Sequence, residues 1–369
     1  MKVLFVIPTL GGGGAERTLV QILNNYKNDN CEIFVKTLFN EGSLLKQLNK
    51  EINYSYVFKK SFRGNIHFFK LFSPRFLFRL MIKEKYDIII SFLEGPATRI
   101  VSGCGYDAKL INWVHTSPVK DSVLTKSYRN RQELINCYGK FDKTVFVAKT
   151  AQTVFFEHFP ELAKNNSTVY YNPINTVQIK QNLTEDCHTA FDKNEFNIVS
   201  VGRLEQVKGF DRLINTVSKI NEKSDRKVHL YIIGDGTLRE SLKSDVQKKG
   251  LSDYVTFVGF QDNPHKYLKQ ADLYVCSSYR EGYSTAVIES LVVGIPVVTT
   301  ECSGMREILG ENEEYGIITE NNESSLQEGM EKMLFDRELY SKYKLAAEKR
   351  GKEFDMEKSI EELTDIIFK

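Results

Sequence analysis

Residues 198–214 read IVSVGRLEQVKGFDRLI. The stretch ends a β-rich run, Phe196–Val201, breaks at Gly202, and enters an amphipathic run over Gly209–Ile220. A short apolar run passing through glycine into a helical pattern is a strand, a turn and a helix. The same unit recurs on both sides. After it, Val228–Ile233, Val255–Val258, Leu273–Cys276 and Pro296–Thr300 read as strands, and Leu238–Lys249, Thr285–Val293 and Leu326–Leu334 as helices. Before it, Val3–Pro8, Glu32–Leu38, Asp87–Phe92, Lys109–Val114 and Lys143–Ala148 are strands, with amphipathic stretches such as Glu16–Tyr26 and Asp121–Tyr138 between them. Alternation of this kind gives parallel sheets with helices on both faces.

The length of 369 residues suits two such domains. The polar stretch from Asn172 to Glu195, which contains Pro173, reads as the break. This predicts one α/β domain over residues 1–175 and a second over 195–350, with final helices near Arg337–Gly351 and Met356–Phe368. Two doubly wound, Rossmann-like domains then face a cleft, and ligands in such sheets bind at the C-terminal ends of the strands.

Composition excludes several classes. With 41% hydrophobic, 27% charged and 12% aromatic residues, the chain is neither disordered nor fibrous. No apolar run approaches the roughly 18 residues of a spanning helix. Met1–Leu10 reads as a buried first strand rather than a signal peptide. The six cysteines, at positions 31, 104, 137, 187, 276 and 302, form no C-x-x-C pair, which fits a reducing cytoplasm. Sequons at Asn165, Asn166, Asn182 and Asn322 carry no weight without an export signal.

The net charge of +2 conceals an asymmetry, since residues 1–180 carry +11 and residues 181–369 carry −9. Much of the excess lies in Phe58–Lys85, where Lys59, Lys60, Arg63, Lys70, Arg75, Arg79, Lys83 and Lys85 face one acid, Glu84. Phe58, Phe62, Phe68, Phe69, Phe72, Phe76 and Phe78 are interleaved with them. A basic, aromatic, helix-prone segment can lie in the interface of an anionic bilayer, which predicts a membrane surface built on Lys59, Lys60, Arg63, Phe68, Phe69, Phe72 and Arg75. The plainer alternative is a helix with one face in the core and a solvated basic face. No nucleic-acid module is recognisable.

Four constellations carry chemistry. Gly11–Arg17 (GGGGAER) follows the first strand, so glycine backbone and a helix start can approach an anion, or simply form a tight turn. The dinucleotide fingerprint fails there, because Glu16 stands where its third glycine should be and no acid ends the second strand near Leu38. Arg203 and Lys208, at the end of the Phe196–Val201 strand, can neutralise a diphosphate or serve as surface salt bridges. In Glu281–Glu289 (EGYSTAVIE), Ser284 is a plausible helix N-cap, and the Thr285 and Ala286 amides form a phosphate seat. Glu289, one turn below Thr285, can accept from the vicinal hydroxyls of a ribose, and Glu281 can reach another hydroxylated ring. His115 ends the Leu110–Val114 strand, either facing a cleft mouth or as a satisfied structural group. Gly234-Asp235-Gly236 is a further tight turn. No Asp-x-Asp occurs, so the usual carboxylate pair for a metal-held nucleotide sugar is missing.

Taken together, these residues resemble the retaining glycosyltransferases of the GT-B fold, in the large family of sucrose synthases, bacterial mannosyltransferases and capsule or lipopolysaccharide sugar transferases. The resemblance spans nearly the whole chain and is strongest over 198–318. It implies that the C-terminal domain binds a nucleotide diphosphate sugar, with UDP as the expected nucleotide, and that the N-terminal domain binds the acceptor. Arg203, Lys208 and the Thr285 and Ala286 amides would hold the diphosphate, Glu289 the ribose and Glu281 the donor sugar. Gly234 and Ser284 would belong to the same donor site. His115 would lie against the donor sugar, Gly13 and Gly14 would approach the phosphate and acceptor, and the last helix (about 355–369) would cross back to the N-terminal domain. Tyr283-Ser284 departs from the frequent Phe-Pro or Leu-Pro, and Cys302–Glu307 (CSGMRE) from Gly-Gly-x-Pro-Glu, in the manner of members acting on lipid-linked or surface-polysaccharide acceptors. The expectation is a metal-independent, cofactor-free hexosyltransferase, cytoplasmic and peripheral on the inner membrane face, acting on a glycan or polyprenyl-diphosphate-linked acceptor. The rivals are a soluble-acceptor enzyme of the same fold, a dinucleotide-dependent oxidoreductase, and a non-catalytic scaffold.

Overall fold

The computed structural model describes residues 1–26, 30–116, 123–187 and 189–369. They divide into two compact units, Met1–Pro173 with Glu357–Lys369, and Ile174–Met356. The first contains β1 (Lys2–Ile7), α1 (Gly14–Asn25), β2 (Glu32–Phe39), β3 (Asn53–Phe58), α2 (Asn65–Lys70), α3 (Pro74–Met81), β4 (Ile88–Ser91), α4 (Pro96–Val101), β5 (Lys109–Val114), α5 (Val123–Lys126), α6 (Arg131–Tyr138), β6 (Lys143–Phe146), α7 (Lys149–His158) and β7 (Ser167–Val169). Its sheet order is β3-β2-β1-β4-β5-β6-β7. The second contains α8 (Thr176–Asn182), β8 (Phe196–Val201), α9 (Phe210–Asn221), β9 (Val228–Ile233), α10 (Arg239–Lys248), β10 (Val255–Gly259), α11 (His265–Leu268), β11 (Leu273–Cys276), α12 (Thr285–Val293), β12 (Val297–Thr300), α13 (Met305–Leu309), β13 (Ile317–Thr319), α14 (Glu323–Phe335) and α15 (Arg337–Gly351). Its sheet order is β10-β9-β8-β11-β12-β13.

Every strand pairing among the described residues is parallel. The central strands are apolar on both faces and buried throughout, as in Ile88-Ile89-Ile90 of β4, because helices cover both sides. Strand order reverses between β1 and β4 in one sheet and between β8 and β11 in the other. Loops after those strands therefore share one end of each sheet, at the switch point where ligands of doubly wound folds bind.

Three strands escape the sequence reading, namely β3, β7 and β13. All three are edge strands. The first alternates tyrosine with polar residues and is only half-buried, and the other two have three residues each. The predicted helix over 121–138 begins at residues 121 and 122, outside the described residues, and its remainder is broken into α5 and α6. Asn130 causes the break, since its backbone is extended and its Oδ1 accepts the Glu133 N–H at 2.8 Å, starting α6 afresh. The polar stretch read as a break is not bare chain. It carries α8, which packs on α11 and α12, and Phe191, whose ring stacks on Tyr231 at 3.6 Å.

The last helix, α16 (Met356–Phe368), belongs from Glu357 onward to the N-terminal unit. Lys109 Nζ donates to the Ile367 carbonyl at 2.8 Å, satisfying an orphan carbonyl of the last turn, and the Tyr170 hydroxyl donates to that of Ser359 in the first turn at 3.0 Å. Among the described residues no helix is long and apolar enough to cross a membrane.

Candidate active site

Strand β8 ends at Val201 and delivers Gly202 and Arg203 to the C-terminal edge of its sheet. A single 3-10 turn, Gln206–Lys208, follows, and Gly209 turns the chain into α9. Only glycine fits at 209, where φ is +63° and a Cβ would sit 2.2 Å from the Ser277 carbonyl oxygen. That close approach locks the loop after β8 to the loop after β11. Gly234 does the same on the other flank, with φ +142° and a Cβ that would fall 1.9 Å from the Gly202 oxygen.

The structure brings Lys208 and Glu281 into direct contact, Nζ to Oε1 at 2.7 Å. The Ser278 hydroxyl donates to the same oxygen at 2.6 Å. Their side chains are 23% and 12% exposed, so the pair is largely screened from water. Burial is the largest influence and lowers the Lys208 ammonium's pKa, but Glu281's charge and hydrogen bond together with Cys276 outweigh it, and the ammonium titrates above its ordinary value. Arg203 is different. It is exposed, and its guanidinium makes no ion pair or hydrogen bond among the described residues. The two cations predicted to share a diphosphate thus stand in different states, one paired with a carboxylate and one in solvent.

Glu281 leads into α12. Ser284 occupies the N-cap position, but its buried hydroxyl makes no capping hydrogen bond, contrary to the expectation from sequence. The side chain is buried, and among the described residues no side-chain acceptor caps the first-turn N–H groups, Thr285 and Ala286 among them. Glu289 is buried one turn below, with its Oε2 3.1 Å from His265 Nε2.

Arg212, absent from the sequence reading, organises the loop that carries Glu281. It is buried under Tyr279, with its guanidinium carbon 4.0 Å from the ring centroid. Its Nε donates to the Ser277 carbonyl at 2.8 Å and its Nη1 to Asn321 Oδ1 at 2.8 Å. Thr300 Oγ1 donates to the Ser278 carbonyl at 2.6 Å. The Cys276 and Cys302 thiols nearby are raised by burial, Cys302 to about 12, and none of the six cysteines is in a disulfide.

In the N-terminal unit, Gly13 is the N-cap residue of α1 and has no side chain to cap it, and Gly14 opens the helix. His115 follows β5 and is 7% exposed. Burial pushes its imidazole pKa down to about 3, against a hydrogen bond with the Phe92 backbone that pulls the other way. The ring is therefore neutral at pH 7, and Nε2 is buried with no hydrogen-bond partner among the described residues. Glu94, a second residue absent from the sequence reading, holds the main chain here. Its Oε2 accepts the His115 backbone N–H at 2.9 Å and its Oε1 accepts from the Thr116 hydroxyl. Burial raises its carboxyl above the usual range, and these hydrogen bonds oppose the shift.

The predicted membrane surface is corrected in part. The segment forms two short helices, α2 and α3. Lys59, Lys60, Arg63, Phe68 and Arg75 are exposed, as are Phe62, Leu71, Phe76 and Leu80. Phe69 is 2% exposed and packs on Phe39 and Phe58, so it is a core residue. Phe72 is half-buried against the same core. The helix period places Phe68 and Phe69 about 100° apart, so the two rings point in different directions. Arg99, fully buried and paired with Glu133 at 2.8 Å, donates to the Phe69 and Phe72 carbonyls at 2.8 and 2.7 Å and fixes this arrangement.

Among the described residues no three His, Cys, Asp or Glu side chains are grouped as a metal site requires.

Comparison with known proteins bears on the family and the fold. Residues 184–350 match the family model described as glycosyl transferases group 1. Over 189 residues the chain is 36% identical to a Campylobacter jejuni N-acetylgalactosamine-N,N'-diacetylbacillosaminyl-diphospho-undecaprenol 4-alpha-N-acetylgalactosaminyltransferase, covering 51% of this chain and about half (49%) of that enzyme. A second C. jejuni relative, named as an alpha-1,4-N-acetyl-D-galactosaminyltransferase acting on a diNAcBac-PP-undecaprenol-linked disaccharide, is 24% identical over 100% of this chain and 98% of its own. Anabaena HepE, crystallised with UDP and glucose, superposes with a TM-score of 0.77 at 18% identity, covering 99% of both chains. The fold is GT-B.

Proposed function

We propose that this chain, a GT-B glycosyltransferase, moves a sugar from a UDP-sugar to a polyprenyl-diphosphate-linked glycan, with retention at the anomeric carbon and without a metal. One observation carries the donor half, the cluster at the C-terminal ends of β8 and β11. There a solvent-facing Arg203, the Lys208–Glu281 pair and the α12 N-terminus with no side-chain cap converge. As the glycosidic bond to the diphosphate breaks, negative charge grows on the β-phosphate. Arg203, Lys208 and the Thr285 and Ala286 amides are the donors for that charge, preorganised and needing little rearrangement as it forms. Glu281 accepts from donor-sugar hydroxyls and Glu289 from those of the ribose. Glu281 is held by Lys208 and Ser278, which suits a binding carboxylate better than a nucleophile. We therefore favour a front-face route, in which the leaving phosphate takes the acceptor proton. His115, uncharged at neutral pH, offers to a sugar hydroxyl its Nε2, which has no partner among the described residues.

The acceptor half rests on the N-terminal unit's basic aromatic surface and on the two relatives named for undecaprenol-linked substrates. Exposed Phe62, Phe68, Phe76, Leu71 and Leu80 beside Lys59, Lys60, Arg63 and Arg75 suit the interface of an anionic bilayer, where a polyprenyl acceptor resides. Peripheral attachment to the cytoplasmic membrane is the corresponding location.

The deciding experiment is a calorimetric screen of UDP-, GDP- and ADP-sugars, followed by transfer to a polyprenyl diphosphate glycan. Selective UDP-sugar binding and product with retained anomeric configuration are expected. Preference for another nucleotide, or an inverted product, would overturn the corresponding half of the proposal.

A further inference from the structure

A polar chain runs towards Glu289 from the very segment that reads as a break in the sequence. Gln178 and Asn182 lie one turn apart on α8, and the Gln178 side-chain amide donates to Asn182 Oδ1 at 2.9 Å. The Asn182 amide nitrogen is then the atom facing His265 Nδ1, at 3.1 Å. An amide nitrogen only donates, so Nδ1 accepts and the ring proton sits on Nε2. Nε2 lies 3.1 Å from Glu289 Oε2, and both residues are buried. The backbone is held independently. Asn263 Oδ1 accepts the His265 N–H at 3.0 Å, and Asn263 Nδ2 donates to the Asn182 carbonyl at 2.8 Å. Side chain and main chain of His265 are thus both tied to α8.

We propose that His265 is a positioning residue for ribose recognition. Its imidazole, oriented by Asn182, donates to Glu289 and fixes the rotamer in which that carboxylate meets the ribose hydroxyls. The inference rests on the donor reading above, in which Glu289 holds the ribose. A glutamate has three rotatable side-chain bonds, and a carboxylate that must receive two vicinal hydroxyls gains from being held in advance. A second-layer donor to a ligating carboxylate works in the same sense as the partners that orient metal ligands. The consequence is specific. Loss of the imidazole weakens only the part of the affinity that comes from the hydroxyls, whereas general damage to α11 or α12 weakens binding of any uridine diphosphate.

The test compares UDP with 2′,3′-dideoxy-UDP by calorimetry on the full chain. The wild-type protein is expected to prefer UDP by at least tenfold. His265→Ala should narrow that preference to about threefold or less, with dideoxy-UDP affinity changed less than twofold. His265→Gln, whose amide nitrogen reaches the Nε2 position, should recover at least half of the lost ratio on a logarithmic scale. His265→Phe keeps the volume and lacks the donor, so it carries the same expectation as His265→Ala where the alanine variant does not fold. Equal weakening for both ligands, or an unchanged ratio, overturns the role of His265 while leaving the donor site standing. A wild-type protein that binds UDP no better than dideoxy-UDP overturns the assignment of Glu289, and this inference with it.

Discussion

Replacing Lys208 by methionine separates what the Lys208–Glu281 pair does for stability from what it does for turnover. The substitution keeps most of the side-chain volume and removes the ammonium, leaving the Glu281 carboxylate with the Ser278 hydroxyl but without its countercharge. Breaking a fully buried pair costs about 3–5 kcal/mol, and breaking an exposed one about 0–1 kcal/mol. With side chains 23% and 12% exposed, this pair lies nearer the buried limit. A cost of about 2–3 kcal/mol follows, or roughly 5–10 °C in the melting of a unit this size. Glu281→Gln should cost a similar amount by stranding Lys208. The double variant removes both charges and should return to within about 1 kcal/mol of wild type, a coupling that a double-mutant cycle measures directly. Turnover should behave in the opposite way. All three variants lose a donor to the leaving group or a contact to the sugar, and each should fall at least a hundredfold, as removal of one oxyanion donor typically costs about 2.7–4 kcal/mol. Thermal melts and steady-state kinetics on the same preparations suffice. A double variant no more stable than the weaker single one would refute the coupling. Lys208→Met with turnover within tenfold of wild type would refute the catalytic role.

Arg203→Ala should cut turnover at least a hundredfold with the melting temperature unchanged, because the guanidinium is exposed and holds no other residue among those described; a shifted melt with normal turnover would reverse the assignment. His115 should make stability acid-sensitive. The unfolded chain takes up a proton near pH 6.5 that the folded protein refuses until about pH 3, so stability falls by about 1.4 kcal/mol per unit as pH drops through that window. Glu94, raised by burial, acts in the opposite sense, but it stays in place in His115→Asn, so the difference between the two unfolding curves isolates the histidine: about 2.5 kcal/mol between pH 7 and pH 4.5 is expected, and parallel curves would count against it. Phe69→Ala should cost about 3–5 kcal/mol as a core truncation, while Phe68→Ala should cost under about 1 kcal/mol and, with Lys59, Lys60 and Arg63 changed to Glu, abolish sedimentation with anionic vesicles; unchanged sedimentation would remove the membrane surface. Transfer should survive EDTA, and activity that vanishes with chelator and returns with Mn²⁺ would contradict metal independence.

What could be read in the sequence follows from where each residue's partners lie. Strands such as β4 and β8 announce themselves because both faces are buried and most positions are apolar. The edge strands β3 and β7 do not, because they are only partly buried, and β13, though buried, is only three residues long. The Gly202–Gly209 turn and the Glu281–Glu289 stretch are legible for a related reason. Backbone that must approach another loop closely needs glycine, and glycine marks the spot. Phe69 was indistinguishable from Phe68 in a segment with no clear period, and only the packing on Phe39 and Phe58 separates them.

The supporting polar residues were not legible, and the reason is geometric. Arg212 bonds residues 65 and 109 positions away, Glu94 bonds the His115 backbone 21 positions on, and His265 meets Asn182 across 83. No local pattern carries such partnerships. Each side chain, met singly, reads as a surface charge or a loop polar group. The segment from Asn172 to Glu195 shows how this misleads. Its polarity reads as a break between domains, yet the Asn182 side chain is polar because it must satisfy His265 Nδ1 and the Gln178 amide at once. Buried polar groups must be paired, so a helix that supports a binding site from behind needs amides and hydroxyls where an ordinary core helix would have leucines. The composition that signals a linker and the composition that signals a scaffold for a polar site are then the same, and only the positions of the partners tell them apart.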